Sequence, residues 1–182
     1  MMNSSSNPSA IRSRKQITDA LLKLMGEHPY EEISVKQIVL ETGLVRKTFY
    51  RNFSSKDDVL CAYVDSIIYD YISALKGATD PLSVIFDFCK KNRKLIKLLQ
   101  KNGLMHLFLL RLNEVIPKVN ATADMSGNPF AERMTGLDAD YLIAFNIGAV
   151  WNVINMWAQR GMREPLDKVR ATIEEYLETR TT

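Results

Sequence analysis

Four cations, Arg46, Lys47, Arg51 and Lys56, are threaded between the rings of Phe49, Tyr50 and Phe53 in the stretch GLVRKTFYRNFSSKDDVL at 43–60. Cations at helical spacing can neutralise phosphates and donate to base edges, while rings set between them can anchor a short helix on a core. Side chains for bond-making chemistry are scarce by comparison. The histidines are His28 and His106, and there is no GxSxG, no HExxH and no glycine-rich phosphate loop. A convergent nucleophile, base and polariser is therefore not expected, and neither is an enzyme. Cys61 and Cys89 show no CxxC spacing and no histidine-rich surroundings, so the sequence predicts no zinc site, no disulfide framework and no cofactor.

The rest of the chain must hold that stretch in place. With 182 residues and 46% hydrophobic content, it can bury a substantial core. A net charge of +3 is too mild to imply a polyanionic partner, so the distribution of charge carries more information. Residues 1–18 hold Arg12, Arg14 and Lys15 without an acid and read as a flexible arm over 1–10 that either lies along phosphates or is simply solvated. No apolar run follows these charges, so a secretory signal is not expected and the location predicted is cytoplasmic. The segment YLIAFNIGAVWNVINMWA at 141–158 is long and uncharged, but it carries Asn146, Asn152 and Asn155; it reads as a buried helix, with no membrane partner.

Hydrophobic periodicity is helical nearly throughout. Ile17, Ala20, Leu21, Leu24 and Met25 form the stripe of a first helix from Ile11 to Met25, stopped by Gly26 and His28-Pro29. In ISVKQI, Ser34 and Gln37 have capping-box spacing and start a two-turn helix that ends at Thr42-Gly43. A cationic helix follows over residues 44–53, and Ser54-Ser55 opens a long one that reaches about Leu75. KGATDP at 76–81 is the expected domain boundary. Helices are then predicted over 82–91, 93–100 and 104–115, a long loop over 117–138, and closing helices over 140–159 and 165–177. No stretch alternates with period two, so the fold class is all-α: a helix-turn-helix domain at 11–54, a connecting helix at 55–75, and a helical regulatory and dimerisation domain at 76–182.

Two short helices around a glycine turn, the second cationic, are the parts of a helix-turn-helix, whose second helix enters the DNA major groove. Val45, Arg46 and Lys47 are then placed at base edges, and Thr48, Tyr50 and Lys56 near phosphates. Ser34 and Val35, at the start of the first motif helix, and Arg51 complete the expected DNA surface. Phe49 and Phe53 are expected to anchor the helix. The plain alternative is a solvated amphipathic helix with its cations in water.

ISVKQIVLETGLVRKTFYRNFSSKDDVL strongly resembles the DNA-binding segment of the tetracycline-repressor (TetR) family, whose usual form runs T-x-x-x-I-A-x-x-A-G-V-S-x-x-T-x-Y-x-x-F-x-x-K. Ile38, Gly43, Thr48, Tyr50, Phe53 and Lys56 fall in register. The family's small alanines are Val39 and Thr42 here, its capping serine is Val45, and its common small residue at 47 is a lysine. The late segment AFNIGAVWNVINMWAQRGM is similar in pattern to the C-terminal domain of one branch of the family.

The resemblance implies a homodimeric regulator of a double-stranded operator, most often a repressor released by a small molecule, with activation or a protein-binding adaptor as alternatives. An apolar or aromatic effector would be met by Phe86, Met105, His106 and Phe108, together with Tyr141, Phe145 and Trp157. For each of these, ordinary core packing is the plainer reading. The dimer interface is expected on the two closing helices: Ala144, Gly148, Trp151 and Asn155 on the first, and Val169, Ile173, Tyr176 and Leu177 on the second. A pocket filled by its own side chains, beside an apolar outer patch, would favour the adaptor over the sensor.

Overall fold

The computed structural model describes residues 7–75, 78, 80–120 and 138–178. Among them there are helices and no strand, as the periodicity predicts: α1 Pro8–Glu27, a 3-10 turn Tyr30–Glu32, α2 Val35–Thr42, α3 Arg46–Asn52, α4 Lys56–Leu75, α5 Pro81–Lys91, α6 Arg93–Lys101, α7 Met105–Asn120, α8 Ala139–Gln159 and α9 Leu166–Glu178. The chain divides into two compact units, Met1–Ser66 and Ile67–Thr182. The division falls inside α4, not at 76–81. No glycine or proline interrupts α4, whose first half buries Val59, Leu60 and Val64 and whose second half buries Ile67, Ile68 and Ile72.

In the first unit, α1 starts at Pro8, three residues before the expected helix start at Ile11. Asn7 accepts a bond from the Ser9 amide at 3.0 Å, and Pro8 sits in the first turn, where its missing N–H costs nothing. Pro8–Ala10 of the expected arm are therefore helical, and Arg12, Arg14 and Lys15 project from a helix. Residues 1–6 lie outside the described part. Ile17, Leu21, Leu24 and Met25 of α1 are buried, as are Ile38, Phe49, Phe53 and Leu60, and α1 packs on α2 and α3. A fully buried ring such as Phe49 contributes about 2–3 kcal/mol by leaving water, which is what a seven-residue helix needs to hold still.

The second unit is built on an aromatic chain. Tyr71 of α4 lies 5.3 Å from Phe88 of α5, Phe88 lies 5.7 Å from Phe108 of α7, and Phe108 stacks on Trp151 of α8 at 4.8 Å. Polar ties close the unit at its edges: Arg93 donates to the Met162 carbonyl at 2.8 Å, and Arg170 bridges Asp80 at 2.6 Å and Glu174 at 2.7 Å. The loop expected from Pro117 is shortened. Val115 is buried and α7 carries on through Pro117 to Asn120, because a proline in the last turn removes only one amide bond. At the other end Asp138 caps α8 through the Asp140 amide at 3.1 Å, and the remainder of that loop, 121–137, lies outside the described residues.

Candidate nucleic-acid interface

The rigidity of α3 begins with α2. The Ser34 amide donates to Gln37 Oε1 at 2.8 Å and the Gln37 amide to Ser34 Oγ at 3.3 Å, which completes the predicted capping box. Gly43 ends α2 at φ 66°, a backbone state that suits glycine, and its amide bonds the Leu40 carbonyl at 3.3 Å. Thr42, where the resemblance has an alanine, is more than a steric substitute. Its hydroxyl donates to the Val39 carbonyl at 2.9 Å and accepts from the Leu44 amide at 3.2 Å, pinning the turn.

Val45 then starts α3 without a side-chain cap and is 68% exposed. Phe49 and Phe53 point inward, and Arg46, Lys47, Tyr50 and Arg51 stand in solvent. Arg46 and Tyr50 act together: the guanidinium donates to the phenol oxygen at 3.2 Å and lies 5.5 Å from the ring centre. Thr48 is half-buried, and its carbonyl receives the Asn52 side-chain amide at 2.8 Å. Ser34 is exposed and Val35 half-buried at the start of α2. Beside them stands Lys36, an exposed cation that the sequence reading passed over because it lies outside the aromatic-basic stretch.

Lys56 is placed differently from the expectation. Its ammonium donates to the backbone carbonyls of Tyr30 at 2.6 Å and Glu31 at 3.2 Å, and lies 4.5 Å from the centre of the Tyr30 ring. The adjacent Asp57 accepts the Tyr30 hydroxyl at 2.6 Å. Burial, and then this carboxylate, push the Tyr30 phenol well above its ordinary range. Lys56 thus ties the 3-10 turn to the start of α4, and what it can offer a phosphate is reduced to match.

The seven residues expected at an effector pocket do not converge. Phe86, Met105, Phe108 and Trp157 are buried core. His106 is exposed at the start of α7, its Nδ1 within 3.1 Å of the Gly103 carbonyl. Tyr141 and Phe145 are 77% and 71% exposed on the outside of α8. Of the expected interface, Trp151 turns inward onto Phe108, a consequence of its position on the opposite side of α8 from Phe145. Ala144 and Tyr176 are exposed, Gly148, Asn155, Val169 and Ile173 are half-buried, and the Leu177 side chain lies outside the described part. Nor is α8 the buried helix that its composition predicts: Asp140–Gln159 is apolar and long enough to cross a membrane, yet only 22% of its apolar window is buried.

Residues 17–63 match the model of the bacterial regulatory proteins of the tetR family. The N-terminal unit is a TetR-family domain. Over more than this domain, the TetR-like chain is similar to solved structures at low identity. A Syntrophomonas wolfei protein assigned to the TetR-family transcriptional regulators superposes with a TM-score of 0.67 at 14% identity, covering 92% of this chain and 94% of that one. The fatty acid degradation regulator FadR of Bacillus halodurans gives 0.56 at 21% identity over 91% and 94% of the two chains. The dihydroxyacetone kinase operon activator DhaS gives 0.59 at 20% identity over 93% and 96%. These likenesses extend the TetR-like fold to the C-terminal unit. No curated protein matches the sequence.

Proposed function

We propose that this chain is a cytoplasmic, homodimeric transcriptional regulator that reads a palindromic operator through α3 and is released from it by a small molecule. The observation that carries the DNA-binding part is the division of α3 into a buried aromatic side and a solvent side bearing Arg46, Lys47, Tyr50 and Arg51. A helix held on its core in this way, behind a capped helix and a pinned glycine turn, presents its cations in one fixed register. A merely solvated helix has no need of that rigidity. Val45, Arg46 and Lys47 are assigned to base edges, and Ser34, Val35, Thr48, Tyr50 and Arg51 to the backbone on either side.

Dimerisation is supported by α8, whose exposed residues Tyr141, Ala144, Phe145, Ala149 and Met156 form one apolar stripe at helical spacing. A twin chain placing the same stripe against it, with α9 alongside, makes a two-fold four-helix contact. Repression is the proposed sign. An operon activator shares the fold, so the fold itself carries no sign, and the operator's position relative to its promoter decides it. A second reading has its own observation: Phe86, Met105, Phe108 and Trp157 are all buried, which favours a protein-binding adaptor over a sensor with an aromatic interior pocket.

Selection of bound sequences from a random DNA pool tests the main reading. An inverted repeat is expected, with half-sites on one face of the duplex. Enrichment of asymmetric sites alone, or of none, would overturn it.

A further inference from the structure

Arg46 opens α3 with its guanidinium already held. Nη2 donates to the Tyr50 hydroxyl oxygen at 3.2 Å, and the guanidinium carbon lies 5.5 Å from the centre of the Tyr50 ring. The ring is fixed in turn, for it meets Phe49 edge-on at 5.4 Å, and Phe49 is fully buried. Core, ring and guanidinium thus form one connected series on a single turn of helix. Lys47 and Arg51, the other cations of α3, show no comparable contact among the described residues. Acids do not draw the held group away. None occurs between Glu41 and Asp57, and these two are engaged elsewhere, Glu41 by Lys23 at 2.5 Å and Asp57 by the Tyr30 hydroxyl at 2.6 Å.

What the held guanidinium can still give follows from its shape. Nη2 carries one hydrogen on the edge it shares with Nε–H and one on the edge it shares with Nη1. Whichever of them bonds Tyr50, the other edge keeps both of its parallel donors. In the major groove guanine alone presents two acceptors side by side, N7 and O6, whereas adenine sets a donor beside its N7. An arginine edge, which has donors only, therefore selects guanine. Tyr50 keeps a function of its own: its oxygen accepts from Arg46 while its O–H remains to donate to a phosphate. The plain reading of the same contact is a surface pair at i, i+4 spacing that steadies a short helix. Breaking such a pair would lower stability and leave base preference unchanged.

We propose that Arg46 reads a guanine at one position of each half-site through N7 and O6, and that Tyr50 is the positioning residue that holds the guanidinium for it. This rests on the DNA-binding reading above and names the base which that reading requires. The test begins with the operator that the full chain selects from a random pool, where a guanine is expected at one position of each half-site. Changing that guanine to adenine is expected to weaken the parent by about tenfold or more, and replacing it with 7-deazaguanine, which lacks the N7 acceptor, by about tenfold. Arg46→Ala is expected to bind the three operators within about twofold of one another. Tyr50→Phe keeps the ring and loses the hydroxyl, and is expected to narrow the guanine-to-adenine ratio by about threefold or more. The ratio isolates positioning, because a lost phosphate bond or lost stability weakens both operators alike. Melting curves confirm that the variants fold, and the 7-deazaguanine operator needs no variant. An inverted repeat without such a guanine, indifference of the parent to 7-deazaguanine, a preference that survives Arg46→Ala, or an unchanged ratio in Tyr50→Phe each overturns the proposal and leaves the DNA-binding reading standing. Enrichment of no repeat at all overturns both.

Discussion

Lys47 and Lys56 are both cations of the same short stretch, yet their surroundings assign them opposite work. Lys47 stands exposed, with no bond or ion pair among the described residues, so its charge is available to a partner. Lys47→Ala is expected to leave the melting temperature alone and to relax operator preference at one or two positions by about 1–3 kcal/mol, read from binding to a panel of operator variants. Lys56→Ala removes two bonds to carbonyls and a ring contact, and is expected to destabilise the head by about 1–2 kcal/mol in denaturant titration, before any DNA is added. A variant as stable as the parent would return Lys56 to the phosphate role that the helix-turn-helix reading of the sequence gives it. Cys89 leads to a prediction about pH. Burial pushes its thiol up to about 12 from an ordinary 9.0, and burial also raises Tyr30, Tyr71 and Tyr63. In each case the unfolded chain loses its proton first, so stability is full below about pH 9 and falls as pH rises toward the folded values, by up to about 1.4 kcal/mol per unit for the deeply buried Cys89 and Tyr71 and by less for the others. Denaturation midpoints measured from pH 7 to 11 should be flat and then decline. Cys89 is also expected to resist alkylation at pH 8 while half-exposed Cys61 reacts.

Helix α3 begins on a valine, where a serine would cap the free amides. Val45→Ser is expected to stabilise the head by about 0.5–1 kcal/mol and to change base preference at the first contacted position, because an apolar surface is exchanged for a hydroxyl. Thermal melts and the operator panel check the two halves separately; a melt that does not move would show that water caps this end adequately. Such local events are the ones that a sequence displays well. The Ser34 and Gln37 box, the Gly43 turn and the inward Phe49 and Phe53 were all readable, since each depends on neighbours within four residues. What was not readable depends on partners far along the chain. The position of Lys56 is decided by carbonyls 25 and 26 residues away, and that of Trp151 by Phe108, so residue type alone could not say which way either side chain points. The end of α7 was misread because proline is a strong breaker on average and a weak one in a last turn. Tyr141 and Phe145 were grouped with a pocket because an aromatic residue carries no mark of which face of its helix will be covered.

That uncovered face governs the assembled molecule. A proposed twin buries the stripe of Tyr141, Phe145 and Met156, so Phe145→Lys should place two like charges near a two-fold axis and shift sedimentation from dimer to monomer. Operator affinity is expected to fall by about a hundredfold or more, since each head then binds one half-site without the local concentration its partner supplies. A variant that stays dimeric would move the interface elsewhere. The continuity of α4 across the division between units has a different kind of consequence, one for modularity. Ser66, at the division, is an ordinary exposed helical residue whose hydroxyl bonds the Tyr63 carbonyl at 2.7 Å, and there is no linker there to cut. A fragment ending at Ser66 would open up to four carbonyls, and one that ran on to Leu75 would carry Ile67, Ile68 and Ile72 into water. Grafting this head onto another body must also keep helical phase: one residue added after Ser66 turns everything downstream by about 100°, whereas four added residues bring it back to within about 40°. Exchange of heads among proteins with this architecture is thus limited to whole-turn steps, much as gears can be swapped only between shafts of matching teeth.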